Sequence, residues 1–173
     1  MRSFLLAAAA ATALSVGLAA APAHAGGAPN YAKVRRVLDS MGLMGSWGVD
    51  CNAMPSSTQW ETIEVTDKGV VQSVEGGDDS ISTYRIISAK RLNRTDVRMK
   101  FLYIPEGGTD AEDGGEPSPE QATTVVYRVE ANRQMTWSSV GPDGEALITA
   151  GVFADGDEHS EWYNRCPADR SAQ

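Results

Sequence analysis

Histidine, cysteine and positive charge are all scarce in this chain. Its 173 residues hold 2 histidines, 2 cysteines and 15 lysines and arginines against 23 acidic residues, for a net charge of −8. His24 falls in a leader-like N-terminus, which leaves His159 as the one imidazole beyond it. Hydrolytic triads and zinc centres both need a base or several ligands held together. One histidine beside the turn Asp155-Gly156-Asp157-Glu158 does not supply that. No G-x-S-x-G is present, and Glu61 and Glu64, three apart on a strand pattern, point to opposite faces and so cannot act as a glycosidase pair. These gaps predict a protein that is not an enzyme and carries no cofactor or metal. The shortage of cations also argues against nucleic acid and anionic membrane surfaces as partners, since both are bound by displacing counterions. A basic protein partner remains compatible with the charge.

Long hydrophobic runs are missing too, except at the start. "MRSFLLAAAAATALSVGLAAAPAHA" has a positive Arg2, an apolar stretch from Phe4 to Ala21 and an A-x-A site at Ala23-His24-Ala25, the layout of a secretory signal peptide over 1–25. The expected product is exported, periplasmic or secreted, with no membrane span after cleavage. Residues 26–173 suit one domain with one core. In an oxidising compartment its two cysteines predict one bond, Cys51–Cys166.

The patterning of that domain changes once. Tyr31, Val34, Val37, Leu38 and Met41 recur at helical spacing, with Asn30 as N-cap and Gly42 as the stop, so a helix is expected over 31–41. From residue 45 onward the period is 2. Strands are expected at 45–51, 58–66, 70–75, 81–90, 96–104, 122–130, 134–140, 145–154 and 158–165, with turn residues such as Asp67-Lys68-Gly69 and Pro142-Asp143-Gly144 between them. Short strands in sequence, each with one apolar face, make an antiparallel meander. Closing a meander into a barrel removes its two edges. Cys51 ends the first strand and Cys166 the last, so their bond would form the seam. A β-sandwich is the alternative on the same strand pattern.

Pro105 to Gln121, "PEGGTDAEDGGEPSPEQ", has six acids and no base. It cannot bury enough apolar surface to fold alone and is expected to be a disordered loop, 105–121. The D-x-[DN]-x-[DN]-G spacing of a calcium loop is absent from it.

Gly45-Ser46-Trp47 after a short helix resembles the G-x-W at the first strand of lipocalins. That resemblance implies an eight- or nine-stranded lipocalin-like barrel in which Trp47 closes one end. It also implies an arginine from the C-terminal segment, Arg165 or Arg170, stacked over the Trp47 ring. "GSWGVDC" and "WYNRC", with "MPSST" and "IISAKRL" between them, are similar to a group of small secreted alphaproteobacterial proteins with a G-x-W-G-x-D-C opening and a W-x-x-R-C close. This implies a compartment and a fold and leaves the activity open. The long acidic segment after Ile104 departs from the pattern of that group.

Barrels of this size hold one small ligand or are packed solid. The inward set is expected to include Val97, Val125, Val129, Leu147 and Phe153, with Met99, Phe101, Tyr127, Met135 and Trp137 lining a ligand site. The function read from this is an exported, non-enzymatic module that binds a small apolar or amphipathic molecule. The alternative is an inhibitor-like module that docks a basic periplasmic protein such as a secreted hydrolase.

Overall fold

Asn30 starts the helix as its sequence suggests: its side-chain Oδ1 accepts the Lys33 backbone N–H at 3.0 Å. Helix α1 runs Tyr31–Ser40 and is capped by Met41, one residue earlier than expected. Gly42, at φ +70°, takes the left-handed turn that ends it. Val34, Leu38 and Met41 are buried and join the main core, so the apolar stripe lies on the sheet. A helix this short would be marginal in water without that burial.

In the computed structural model, residues 29–53, 59–76, 80–105 and 121–167 are described. The 1–25 leader, Arg170 and all of the acidic segment between Pro105 and Gln121 lie outside them.

Ten strands follow α1: β1 Gly45–Gly48, β2 Trp60–Thr66, β3 Gly69–Glu75, β4 Ile81–Arg91, β5 Asp96–Ile104, β6 Thr123–Glu130, β7 Arg133–Val140, β8 Ala146–Thr149, β9 Val152–Phe153 and β10 Tyr163–Arg165. Each of β1 to β9 pairs antiparallel with the next, and β10 pairs with both β7 and β1. The ring β1–β7 plus β10 is a closed eight-stranded antiparallel barrel, with β8 and β9 outside it. The all-β barrel with one helix is therefore the architecture, and the sandwich is excluded.

The seam lies where the cysteines put it. Trp47 pairs with Arg165 and Gly48 with Asn164, while Cys51 and Cys166 are bonded with Cα atoms 5.3 Å apart. The Cys166 N–H also donates to the Ser46 carbonyl at 2.9 Å, which extends the ladder past β10.

The first expected strand, 45–51, stops at Gly48, three residues short of Cys51, and two others differ more. The 145–154 segment is broken into β8 and β9 by Ala150 (φ +52°) and Gly151 (φ +80°), a left-handed pair that turns the chain back on itself. Most of 158–165 is irregular: His159 makes a single bridge to Val152, and only the last three residues form a strand. Both follow from how β7 is shared. Its first residues, Arg133 and Gln134, pair with β10, and its last, Ser139 and Val140, pair with β8. The barrel is tight at the α1 end and splays at the other, where the β8–β9 hairpin and residues 158–161 form a partial wall.

Outward positions on the ring include Arg98, Lys100 and Arg128, and inward ones include Val97, Met99 and Val129. A barrel spanning an outer membrane carries the reverse pattern, an apolar band outside and a polar interior. Among the described residues, no helix is long and apolar enough to cross a membrane.

Candidate functional site

The α1 end of the barrel is closed by Trp47, which is fully buried. Its indole N–H donates to the Leu43 carbonyl at 2.9 Å. Arg165, directly across the seam, has its guanidinium 5.4 Å from the Trp47 ring centre. The same guanidinium donates to the carbonyls of Gly42 and Met44, so it ties the helix exit to the last strand. Of the two arginines expected near this ring, Arg165 lies over it, and Arg170 is outside the described residues.

From that floor to the mouth the lumen changes character. Val97, Met99 and Val129 pack with the helix residues as solid core. Further out, a ladder of rings climbs one wall. Tyr127 and Phe101 have centres 6.2 Å apart, Phe101 and Tyr84 6.4 Å, and Tyr84 and Tyr103 5.6 Å, with Tyr103 half exposed at the rim. Beside this ladder lies an open cavity of about 310 Å³, lined chiefly by Phe101, Val125, Tyr127, Val74, Leu147 and Ile148. A second open cavity of about 560 Å³ shares Val74, Thr136 and Ile148 with the first and is bounded by Glu61, Tyr163, Phe153 and residues 158–161.

Between the two cavities stands a buried polar group, centred on Glu61, that no local sequence pattern marks. Glu61 opposes Trp47 on β1 and Val74 on β3, which turns it into the lumen, whereas Glu64 is exposed. The two carboxylates do point to opposite faces, as their spacing requires. The Tyr127 hydroxyl donates to Glu61 Oε2 at 3.2 Å and Gln134 Nε2 donates to the same oxygen at 2.8 Å. Gln72 Nε2 in turn donates to the Tyr127 oxygen at 2.7 Å. Desolvation in the lumen outweighs these hydrogen bonds and pushes the Glu61 carboxyl up from 4.5 to about 7. Burial raises both the Tyr127 and Tyr163 hydroxyls, so each remains a neutral donor through the physiological range.

That shift makes stability depend on pH. Between about 4.5 and 7 the folded state holds a proton that the unfolded state has released, so stability present below that window is lost as pH rises through it. Glu61→Gln keeps an acceptor and cannot ionise. At pH 8 the variant should be more stable than the parent by about 3 kcal/mol, with the gap closing toward pH 4.5. Urea unfolding at pH 5 and pH 8 reads this directly. A variant less stable than the parent at pH 8 would mean the barrel stabilises the carboxylate.

The expected ligand-lining residues divide. Phe101 and Tyr127 line the smaller cavity, and Met99 is wholly buried in the core behind it. Of the others in the inward set, Val125 and Leu147 line the smaller cavity and Phe153 the larger. Met135 and Trp137 are corrected to the outside of the barrel. Met135 pairs with Arg128 on the outer face, and Arg128 lies over the Trp137 ring at 3.6 Å, while Gly151 of the hairpin turn sits against Met135. The inward positions of β7 are Gln134 and Thr136, which oppose Val129 and Tyr127. Apolarity alone therefore misassigned the faces of β7. The hairpin hides its apolar outer side, and the lumen takes its polar side.

An outer groove of about 770 Å³ beside α1 is lined by residues that include Lys33, Lys90, Arg91, Arg98 and Lys100. Among the described residues no three histidine, cysteine or acidic side chains gather closely enough to hold a metal ion. Comparisons of the chain with protein-family models, with curated proteins and with solved structures found no match.

Proposed function

We propose that this chain is an exported, non-enzymatic binding module that holds a small apolar or amphipathic molecule in the mouth of its barrel, as a member of the secreted alphaproteobacterial group whose opening and closing motifs it resembles. The observation that carries the reading is the pair of adjoining open cavities, one ringed by aromatic and aliphatic side chains and one by polar groups. Ligand sites combine these two features, an apolar lining and a few convergent polar atoms. A barrel evolved only for rigidity would fill this volume, because voids forfeit packing energy.

The competing reading, a module that docks a basic secreted hydrolase, fits less well. It calls for a sealed lumen and an acidic outer face. The lumen is open, and the outer groove beside α1 carries five cations that would repel such a partner there.

Titration with the neutral fluorophore N-phenyl-1-naphthylamine tests the proposal. Binding should be saturable, with one site per chain, and should be displaced by dodecanol. Val125→Trp, which fills the smaller cavity, should abolish the signal in a protein whose far-ultraviolet circular dichroism is unchanged. Emission that rises without saturating, or that survives Val125→Trp, would overturn it.

A further inference from the structure

We infer that the ligand is a cationic amphiphile, an ammonium or similar nitrogen cation on an apolar body, with its charge against Glu61 and its apolar part along the Tyr84–Phe101 wall. This rests on the ligand-binding reading above and adds a charge to it.

Three features of the site converge. The first is the sign of the larger cavity: Glu61, Glu158 and Glu161 line it, and among the described residues no lysine or arginine does. The second is the polar environment of Glu61, which lines it. The Tyr127 and Gln134 hydrogen bonds to Glu61 both end on Oε2, and Gln72 is a further partner of the carboxyl. None of the three is charged, so a cationic donor in the cavity that Glu61 lines would be the first to offset its charge. Gln134, almost wholly buried beside it, has its Oε1 without any partner. A buried unpartnered acceptor of this kind carries a desolvation penalty until a donor arrives. The third is the aromatic ladder, which runs from the half-exposed Tyr103 through Tyr84 and Phe101 to Tyr127, whose hydroxyl touches Glu61. Ring faces attract cations as well as hydrocarbon, so one path serves both halves of such a ligand.

The chemistry of Glu61 points the same way. A glutamine here would satisfy the Tyr127 and Gln134 donors without any buried charge. A carboxyl instead sits in a low-dielectric lumen, where ionisation is opposed until a positive partner offsets it. A neutral or anionic ligand gains nothing from that residue. The titratable groups that share the cavity are Tyr163, His159, Glu158 and Glu161, with Tyr127 at the edge of the smaller one. Tyr163 and Tyr127 stay neutral, so at pH 8 Glu61 is the buried charge that a ligand meets.

Displacement of N-phenyl-1-naphthylamine by three twelve-carbon probes, dodecylamine, dodecanol and dodecanoate, reads this out. At pH 8 dodecylamine should displace the dye at a concentration at least roughly tenfold below that of dodecanol, the usual gain from a charge-assisted hydrogen bond, and dodecanoate should be weakest. In Glu61→Gln the amine-to-alcohol ratio should fall to within about threefold of one, since only the charge pairing has been removed. In the unaltered protein the ratio should also shrink as pH falls from 8 to 5.5, while the amine itself stays protonated. If dodecanol displaces the dye and dodecylamine does no better, the inference fails and the binding reading stands. A preference for amine that persists in Glu61→Gln, or that ignores pH, would also refute it. If none of the three displaces the dye, the binding reading falls and takes the inference with it.

Discussion

Replacing Cys51 and Cys166 together by serine should lower the free energy of unfolding by about 4–5 kcal/mol, the closure entropy of a loop of this length. The two residues are 115 positions apart, so the bond constrains nearly the whole barrel in the unfolded chain. The geometry adds a local effect. Strand β10 is only Tyr163–Arg165, and it meets β1 through two residue pairs. So few ladder bonds cannot hold a stave against thermal opening by themselves. Without the disulfide, amide exchange at Tyr163, Asn164 and Arg165 should accelerate more than in β5 or β6, at the centre of the sheet. Urea unfolding with and without reductant, together with hydrogen exchange, measures both effects. A stability loss under about 1 kcal/mol would mean that pairing and the Arg165 contacts close the barrel alone.

Trp47→Ala should cost about 3–5 kcal/mol, the range for deleting a large buried aromatic. The ring is fully buried at the closed end, its N–H is paired to Leu43, and its face carries Arg165. Removing it leaves a cavity between α1 and the seam that neither can relax to fill, because the disulfide and the helix cap fix both. Arg165→Ala should cost less, about 1–2 kcal/mol, since the side chain is exposed and only the stacking and two hydrogen bonds are lost. In a double-mutant cycle the arginine should matter less once Trp47 is gone. Additive effects would show that Arg165 acts through the Gly42 and Met44 carbonyls and owes nothing to the ring.

The frame of this protein follows from local chemistry that its residues carry in order. Asn30 and Gly42 bracket the helix because capping chemistry is local. Period-2 runs such as Val97-Arg98-Met99-Lys100-Phe101 give the strands, since alternation follows from the pleat. The cysteines at the ends of the meander identify the seam, because a bond can join only what closure brings near. Which face of each strand meets the lumen, and what charge sits there, depends instead on pairing between distant segments. On β7 the register shift between Val126 and Tyr127 and the cover of the β8–β9 hairpin reverse the expected faces, so Gln134 and Thr136 go in and Met135 and Trp137 go out. The pairing of β2 with β1 and β3 turns Glu61 inward, onto Tyr127 and Gln134 from strands more than sixty residues away. No local pattern marks a lone glutamate as buried, because its partners are distant in sequence. The volume of the mouth follows from the same cause: β7 is shared between β10 and β8, and the barrel is left open where those two strands part.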